Sequence, residues 1–291
     1  MTSRWSGRRA RFRRLLAGSA CVHPASVHDA ISARIAADLG YEMGMLAGSV
    51  ASLAVLGAPD MILITLSEFA EQALRVSRGA DLPLMVDADH GYGNALNVMR
   101  TVEELETAGV AGLSIEDTLL PQPFGSGGKP ALISIEEGVG KMKAALAARA
   151  DKDLVIAGRT SAVAITGIAD AVARAKAYEA AGVDAMFYVG IKTQDELDAL
   201  CGAVRIPIIL GGVPAALLDK AMLADRGVRV CLTGHQPFQA AIAAVHATLK
   251  ALREGTPPDA VGGLASPALS TSATLADSYA AAVRAYLEKS S

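Results

Sequence analysis

Cysteine is scarce in this chain: Cys21, Cys201 and Cys231 stand far apart among 291 residues and form no CxxC or Cys/His pattern. That excludes a disulfide framework and a zinc site, and it fits the reduced thiols of a cytoplasmic protein. Aromatic side chains make up only 4% of the sequence, so the core has to be built from aliphatic residues and alanine. Long hydrophobic runs are missing as well, since no stretch approaches the ~18 apolar residues of a membrane helix. The basic N-terminal segment is followed only by residues 15–20 (LLAGSA), too short and too small for the apolar part of a secretory signal. Charge of one sign is lacking too: 27 basic and 30 acidic side chains leave a formal net charge of -3, no footprint for nucleic acid or a membrane surface. The local cluster Arg4, Arg8, Arg9, Arg11, Arg13 and Arg14 reads as the solvated face of an N-terminal helix.

What the chain does have is alternation. Short β-rich runs near 21–23, 42–46, 83–86, 112–115, 154–157, 185–189, 206–210 and 228–232 are separated by segments of helical spacing at 31–39, 66–76, 95–108, 135–148, 168–181, 194–203, 215–225 and 236–252. Strands that alternate with helices pair in parallel through crossovers, and eight such units fit a closed (β/α)₈ TIM barrel. A doubly wound open sheet is disfavoured because no Gly-x-Gly-x-x-Gly follows the first strand. With no Ser/Pro linker inside it, the chain (1–291) reads as a single domain. Its barrel spans about 20–252, and a C-terminal helical extension at about 259–291 holds a helix at 275–287.

Several apolar runs end in charge. The third delivers Asp87 and Asp89, with His90, into a glycine-flanked loop; the fourth ends in Glu116 and Asp117; the fifth ends in Arg159. Loops after the strands gather at one face of a barrel, so these groups, with Ser49 after the second strand and His235 after the eighth, should converge there. Oxygen ligands at that face suit Mg²⁺, which takes one or two carboxylates directly and leaves the rest of its shell to water and substrate. The plainer reading of Asp87 and Asp89 is that they cap the helix starting near Ala95; Arg159 could likewise be only a salt-bridge partner of Glu116 or Asp117. His90 either caps that helix or lines the site. The glycine-containing loop at 119–130 is either a lid that excludes water or an exposed connection.

The motifs SARIAADLG (32–40), GSVAS (48–52), DADHGYGN (87–94), Ile115-Glu116-Asp117, EEGVGK (136–141) and Arg159-Thr160 resemble the isocitrate lyase / phosphoenolpyruvate mutase superfamily, oxaloacetate decarboxylase branch, over roughly residues 10–290. The resemblance implies direct ligation of Mg²⁺, or Mn²⁺ in its place, by Asp87, with Asp60, Asp89 and Glu116 acting through water. It also implies that Ser49 and the Val50 amide receive an α-keto acid, that Arg159 grips a substrate carboxylate, and that His235 contacts the substrate. The family's eighth helix is exchanged between subunits, usually in a dimer of dimers, so a homotetramer is expected.

Two departures stand out. The Lys-Lys/Arg-Cys-Gly-His loop of the isocitrate and methylisocitrate lyases is replaced by TLLPQPFG at 118–125, which removes their acid. A tyrosine expected after the seventh strand is replaced by Gly212. The function expected is Mg²⁺-dependent decarboxylation of oxaloacetate, a small α-keto dicarboxylate, through an enolate. Its alternatives are carbon–carbon lyase action on a substituted malate, phosphonopyruvate-type chemistry, or a barrel that only binds dicarboxylates.

Overall fold

The computed structural model describes residues 5–288; Arg4 of the basic cluster lies outside them. The strands are β1 (Ala25–Ser26), β2 (Gly44–Leu46), β3 (Leu84–Asp87), β4 (Gly112–Glu116), β5 (Val155–Thr160), β6 (Ala185–Tyr188), β7 (Ile208–Leu210) and β8 (Val228–Cys231). The helices are α1 (Ser6–Ala17), α2 (Ala30–Asp38), α3 (Gly48–Leu56), α4 (Leu66–Gly79), α5 (Ala95–Thr107), α6 (Ile135–Ala148), α7 (Ala162–Ile165), α8 (Ile168–Ala181), α9 (Gln194–Cys201), α10 (Lys220–Asp225), α11 (Gln236–Arg253), α12 (Pro267–Thr274) and α13 (Ala276–Tyr286). All eight strands pair in parallel in chain order. Val22 closes the ring, donating to Arg229 O and accepting from the Cys231 N–H, each at 3.0 Å.

The first strand departs from the expectation of 21–23. Val22 pairs with β8, whereas Ala25 and Ser26 pair with β2, and Pro24 between them has no N–H to continue a ladder. The segment 215–225 is not one helix either. Asp219 accepts from the Met222 N–H at 2.7 Å and starts α10 afresh after a short 3₁₀ turn. Three short helices went unread: α3, whose apolar residues show little one-sided periodicity, α7, a single turn, and α12, which precedes the helix expected at 275–287.

Side chains alternate along each strand and divide the core into two layers. Leu84, Val86, Leu113, Ile115, Ile156 and Tyr188 point outward to the helices, while Met45, Met85, Ala157, Phe187, Ile209 and Val230 fill the barrel. At the N-terminal end of the strands Phe12, fully buried, joins this inner layer together with Leu16. The arginines of α1 are therefore not a solvated face. Arg9 is 2% exposed; its Nε donates to Val110 O at 3.1 Å and its Nη1 to Asp151 at 2.8 Å. Arg8 and Arg11 pair with Asp81, and Arg13 with Asp184, so the cations that surround Phe12 meet carbonyls and carboxylates where β3 to β6 begin. Among the described residues of the cluster, only Arg14 keeps the exposure expected of it.

The chain divides into two compact units, one ending at His235 and one beginning at Gln236. The eighth helix, α11, thus belongs to the second unit, whereas the sequence reading carried the barrel on to about 252. No α11 residue is buried; Ile242, Val245, Leu249 and Leu252 recur along it at 41–61% exposure. Among the described residues no helix is long and apolar enough to cross a membrane.

Candidate active site

The inward register of the strands carries the chemistry to their C-terminal ends. Asp87 lies two residues beyond Met85, Arg159 two beyond Ala157, and Glu116 two beyond Ser114, so all three face inward. Ser114 Oγ donates to Asp87 Oδ1 at 2.8 Å, and Thr118 Oγ1 donates to Glu116 Oε2 at 2.9 Å. Arg159 forms a short ion pair with Asp87 through Nη1, and its Nη2 stands 3.4 Å from Glu116. The guanidinium lies over the Phe187 ring, 5.6 Å from its centre, while Nε is buried without a partner. Arg159 is thus a salt-bridge partner of Glu116, but its main contact is Asp87.

Asp89 completes the cluster by a route that depends on backbone. It takes a left-handed conformation (φ 47°), and its carbonyl accepts the Glu116 N–H at 2.8 Å. Its carboxylate lies against Gly48, where a Cβ would come within 2.6 Å of Oδ2, so only glycine allows this approach. Asp87, Asp89 and Glu116 are only 7, 5 and 4% exposed. Burial, and then Asp87 and Glu116, push Asp89 well above the usual carboxylate range. Burial also raises Glu116, with Arg159 opposing. The Asp89 carboxylate accepts no hydrogen bond among the described residues.

Neither aspartate caps α5. Asn94 does so, accepting from the Leu96 and Asn97 N–H groups at 2.9 and 3.4 Å. His90 does not cap it either: its Nδ1 is buried and unpartnered, and its carbonyl accepts Lys141 Nζ at 2.8 Å. Ser49 and Val50 follow Gly48 in the first turn of α3, which starts beside Asp89 and has no side-chain cap on its first amides. His235 is half-buried, with Nδ1 at 2.9 Å from Ser26 Oγ; burial lowers its pKa, and Asp87 counters. Asp60 sits on the exposed loop after α3; desolvation, then the Asp87 charge, raises it.

Asp117 does not converge with these groups. It follows Glu116 directly and faces the opposite side, fully buried, where Arg174 Nη1 and Tyr178 Oη reach it at 3.1 and 2.8 Å. Ser26, Ser114, Thr118 and Phe187 were missed, and Lys141 entered only as the last residue of the EEGVGK motif, without a role. Of the missed residues Ser114 carried a usable signal, standing two residues before Glu116 on the same strand face.

The cluster suits a divalent cation. Of three buried carboxylates, two contact the one arginine and the third, Asp89, does not, which leaves negative charge that burial makes costly. Among the described residues no group of three His, Cys, Asp or Glu side chains is placed to hold a metal ion by itself. Carboxylate oxygens are the donors a hard ion such as Mg²⁺ takes, one or two from the protein with water and substrate as its remaining ligands.

The 119–130 loop is tied at its base by the antiparallel Thr118 and Leu132 bridge and by Leu119 N–H donating to Ala131 O at 2.8 Å. Phe124 stands wholly exposed within it.

The chain is 62% identical over 264 residues to an oxaloacetate decarboxylase of Bradyrhizobium diazoefficiens, covering 91% of each. It is 60% identical over 273 residues to one of Rhodopseudomonas palustris, covering 94% of each. Among solved structures, oxaloacetate acetylhydrolase in complex with 3,3-difluorooxalacetate superimposes with a TM-score of 0.85 at 26% identity over 98% of both chains. Phosphonopyruvate hydrolase in complex with oxalate and Mg²⁺ does so with a TM-score of 0.83 at 30% identity, over 97% of this chain and 99% of that one. With residues 12–253 matching its profile, the chain belongs to the phosphoenolpyruvate phosphomutase family.

Proposed function

We propose that this protein is a Mg²⁺-dependent lyase that decarboxylates oxaloacetate to pyruvate and CO₂. The observation that carries the reading is the buried trio Asp87, Asp89 and Glu116 around one arginine whose Nε has no partner. Such a site is short of a cation and holds one guanidinium N–H still unused. Relatives near 60% identity that are named oxaloacetate decarboxylase support it. Asp87 would hold the metal directly, and Asp89, Glu116 and, from its exposed loop, Asp60 would take its waters. Mg²⁺, or Mn²⁺ in its place, would polarise the substrate ketone and make it a sink for the electron pair released with CO₂.

The remaining work falls to the chain's own groups. Arg159, braced by Phe187, fixes a carboxylate through its planar fork and holds the breaking bond parallel to the carbonyl π system. The Ser49 side chain and the Val50 amide at the start of α3 receive the oxo-acid end. His235, held by Ser26, is the group this reading assigns to the carbon that gains a proton. The 119–130 loop, tied at its base and mostly exposed beyond it, acts as the lid that keeps water from the enolate. The apolar stripe of α11 is suited to a second copy of the chain, as helix exchange in a homotetramer requires. The three free, buried thiols suit a reducing compartment such as the cytoplasm.

Incubation with oxaloacetate, in Mg²⁺ or in EDTA, against a metal-only blank tests the reading. Pyruvate formation that needs both protein and metal is the expected result; no rate above the blank overturns it. Arg159→Lys should raise the KM for oxaloacetate by roughly tenfold or more, because a point charge replaces a two-pronged grip. Unaltered steady-state kinetics would remove Arg159 from the substrate site.

A further inference from the structure

Arg159 stands at the end of β5 and His235 just past β8; between them, the ends of β6, β7 and β8 leave a cavity of about 430 Å³. Its walls are apolar, formed by Ile191, Val213, Leu218 and Leu232, and Lys192 is the single charged residue, exposed at its edge. Gly212 keeps one wall low. Its φ of +114° is a conformation other residues rarely adopt, and a Cβ there would meet nothing closer than Leu232 O at 3.6 Å. The cavity's lining holds neither Arg159 nor His235, but it includes residues next to both. A Cβ on Gly211 would lie 3.3 Å from the Phe187 ring that underlies Arg159, and Gly234 leads directly into His235.

Oxaloacetate has no apolar group to place there. Its two carboxylates and its ketone are already served by Arg159, the α3 amides and the acidic cluster. We propose that the cavity receives an aliphatic substituent on C3 of the oxo diacid, so that the substrate class extends to 3-alkyl oxaloacetates with three or four side-chain carbons. This inference rests on the decarboxylase reading above. The reaction balances without a further reactant: the C3–C4 bond breaks, CO₂ departs, the electron pair forms the C2–C3 enolate, and one proton taken up at C3 yields the 2-oxo acid with its alkyl group intact. From 3-(2-methylpropyl)oxaloacetate the product is 5-methyl-2-oxohexanoate.

The test compares kcat/KM for oxaloacetate and 3-(2-methylpropyl)oxaloacetate in Mg²⁺, each above a metal-only blank, for the unaltered protein and for Val213→Phe and Leu218→Phe. The ratio of the two constants does not depend on how much of a variant folds. We expect the unaltered protein to favour the branched substrate by roughly tenfold or more, as each methylene in an apolar pocket contributes about 10-fold or more to discrimination. At least one phenylalanine variant should lower that ratio by about tenfold. Oxaloacetate turnover with the branched substrate disfavoured overturns the inference and leaves the decarboxylase reading standing. A ratio unmoved in both variants also overturns it, and turnover of neither substrate overturns both readings together.

Discussion

Asp87→Ala is expected to lower Mg²⁺-dependent turnover of oxaloacetate by about 10³-fold or more, the scale on which single charge-stabilising groups act in active sites. Asp87 is the carboxylate that Arg159 and Ser114 together hold in place, and the charge that bears most directly on its neighbours. The fold should survive the change. Removing one of three buried carboxylates relieves repulsion on Asp89, and Arg159 keeps Glu116 at 3.4 Å. Thermal unfolding in EDTA should therefore stay within a few degrees of the unaltered protein, while the rise in Tm produced by Mg²⁺ disappears. Turnover that persists with added Mg²⁺ would refute Asp87 as the direct ligand.

The second large effect lies at the other end of the barrel. Phe12→Ala should cost about 3–5 kcal/mol, the range for emptying a buried phenylalanine site. Phe12 has no exposed surface, and its ring packs where a Cβ on Gly112 would meet it at 2.6 Å, so the space it leaves cannot collapse easily. For a unit of this size the loss corresponds to roughly 10 °C in Tm. Because Phe12 sits at the opposite ends of the strands from Asp87, the KM of the folded fraction should not move. A Tm within 2 °C of the original, roughly what less than 1 kcal/mol would produce, would mean that α1 is dispensable to the barrel.

The barrel was legible because its signal is repeated: eight apolar runs, each followed by a segment of helical spacing, leave little freedom in topology. The residues 135–148 and 168–181 formed helices with the expected bounds, since α6 has Ser134 as its cap and α8 ends at Gly182 in the left-handed conformation. Asp87, Asp89, Glu116 and Arg159 could be found because charge at the end of an apolar strand is conspicuous. The error over Asp117 came from treating two adjacent acids as a pair, although neighbours on a strand face opposite sides. The α1 arginines misled for a different reason. Their partners, Asp81, Asp151 and Asp184, are 70 or more residues distant, and only the closed barrel brings them under one helix. The link between Ser26 and His235 was hidden in the same way, since it spans 209 positions and exists only because β8 returns to the start of the sheet.

The placement of α1 has a practical consequence for handling the protein. A tether or label joined ahead of Ser6 leaves from the face where the strands begin, and the carboxylates open on the face where they end. Molecules anchored to a surface through that end would present their reactive mouths to the bulk solution. Phe12 and the arginine pairs would meanwhile bear any pulling force, so a sparse, low-tension attachment through this end is the orientation to choose for immobilised assays.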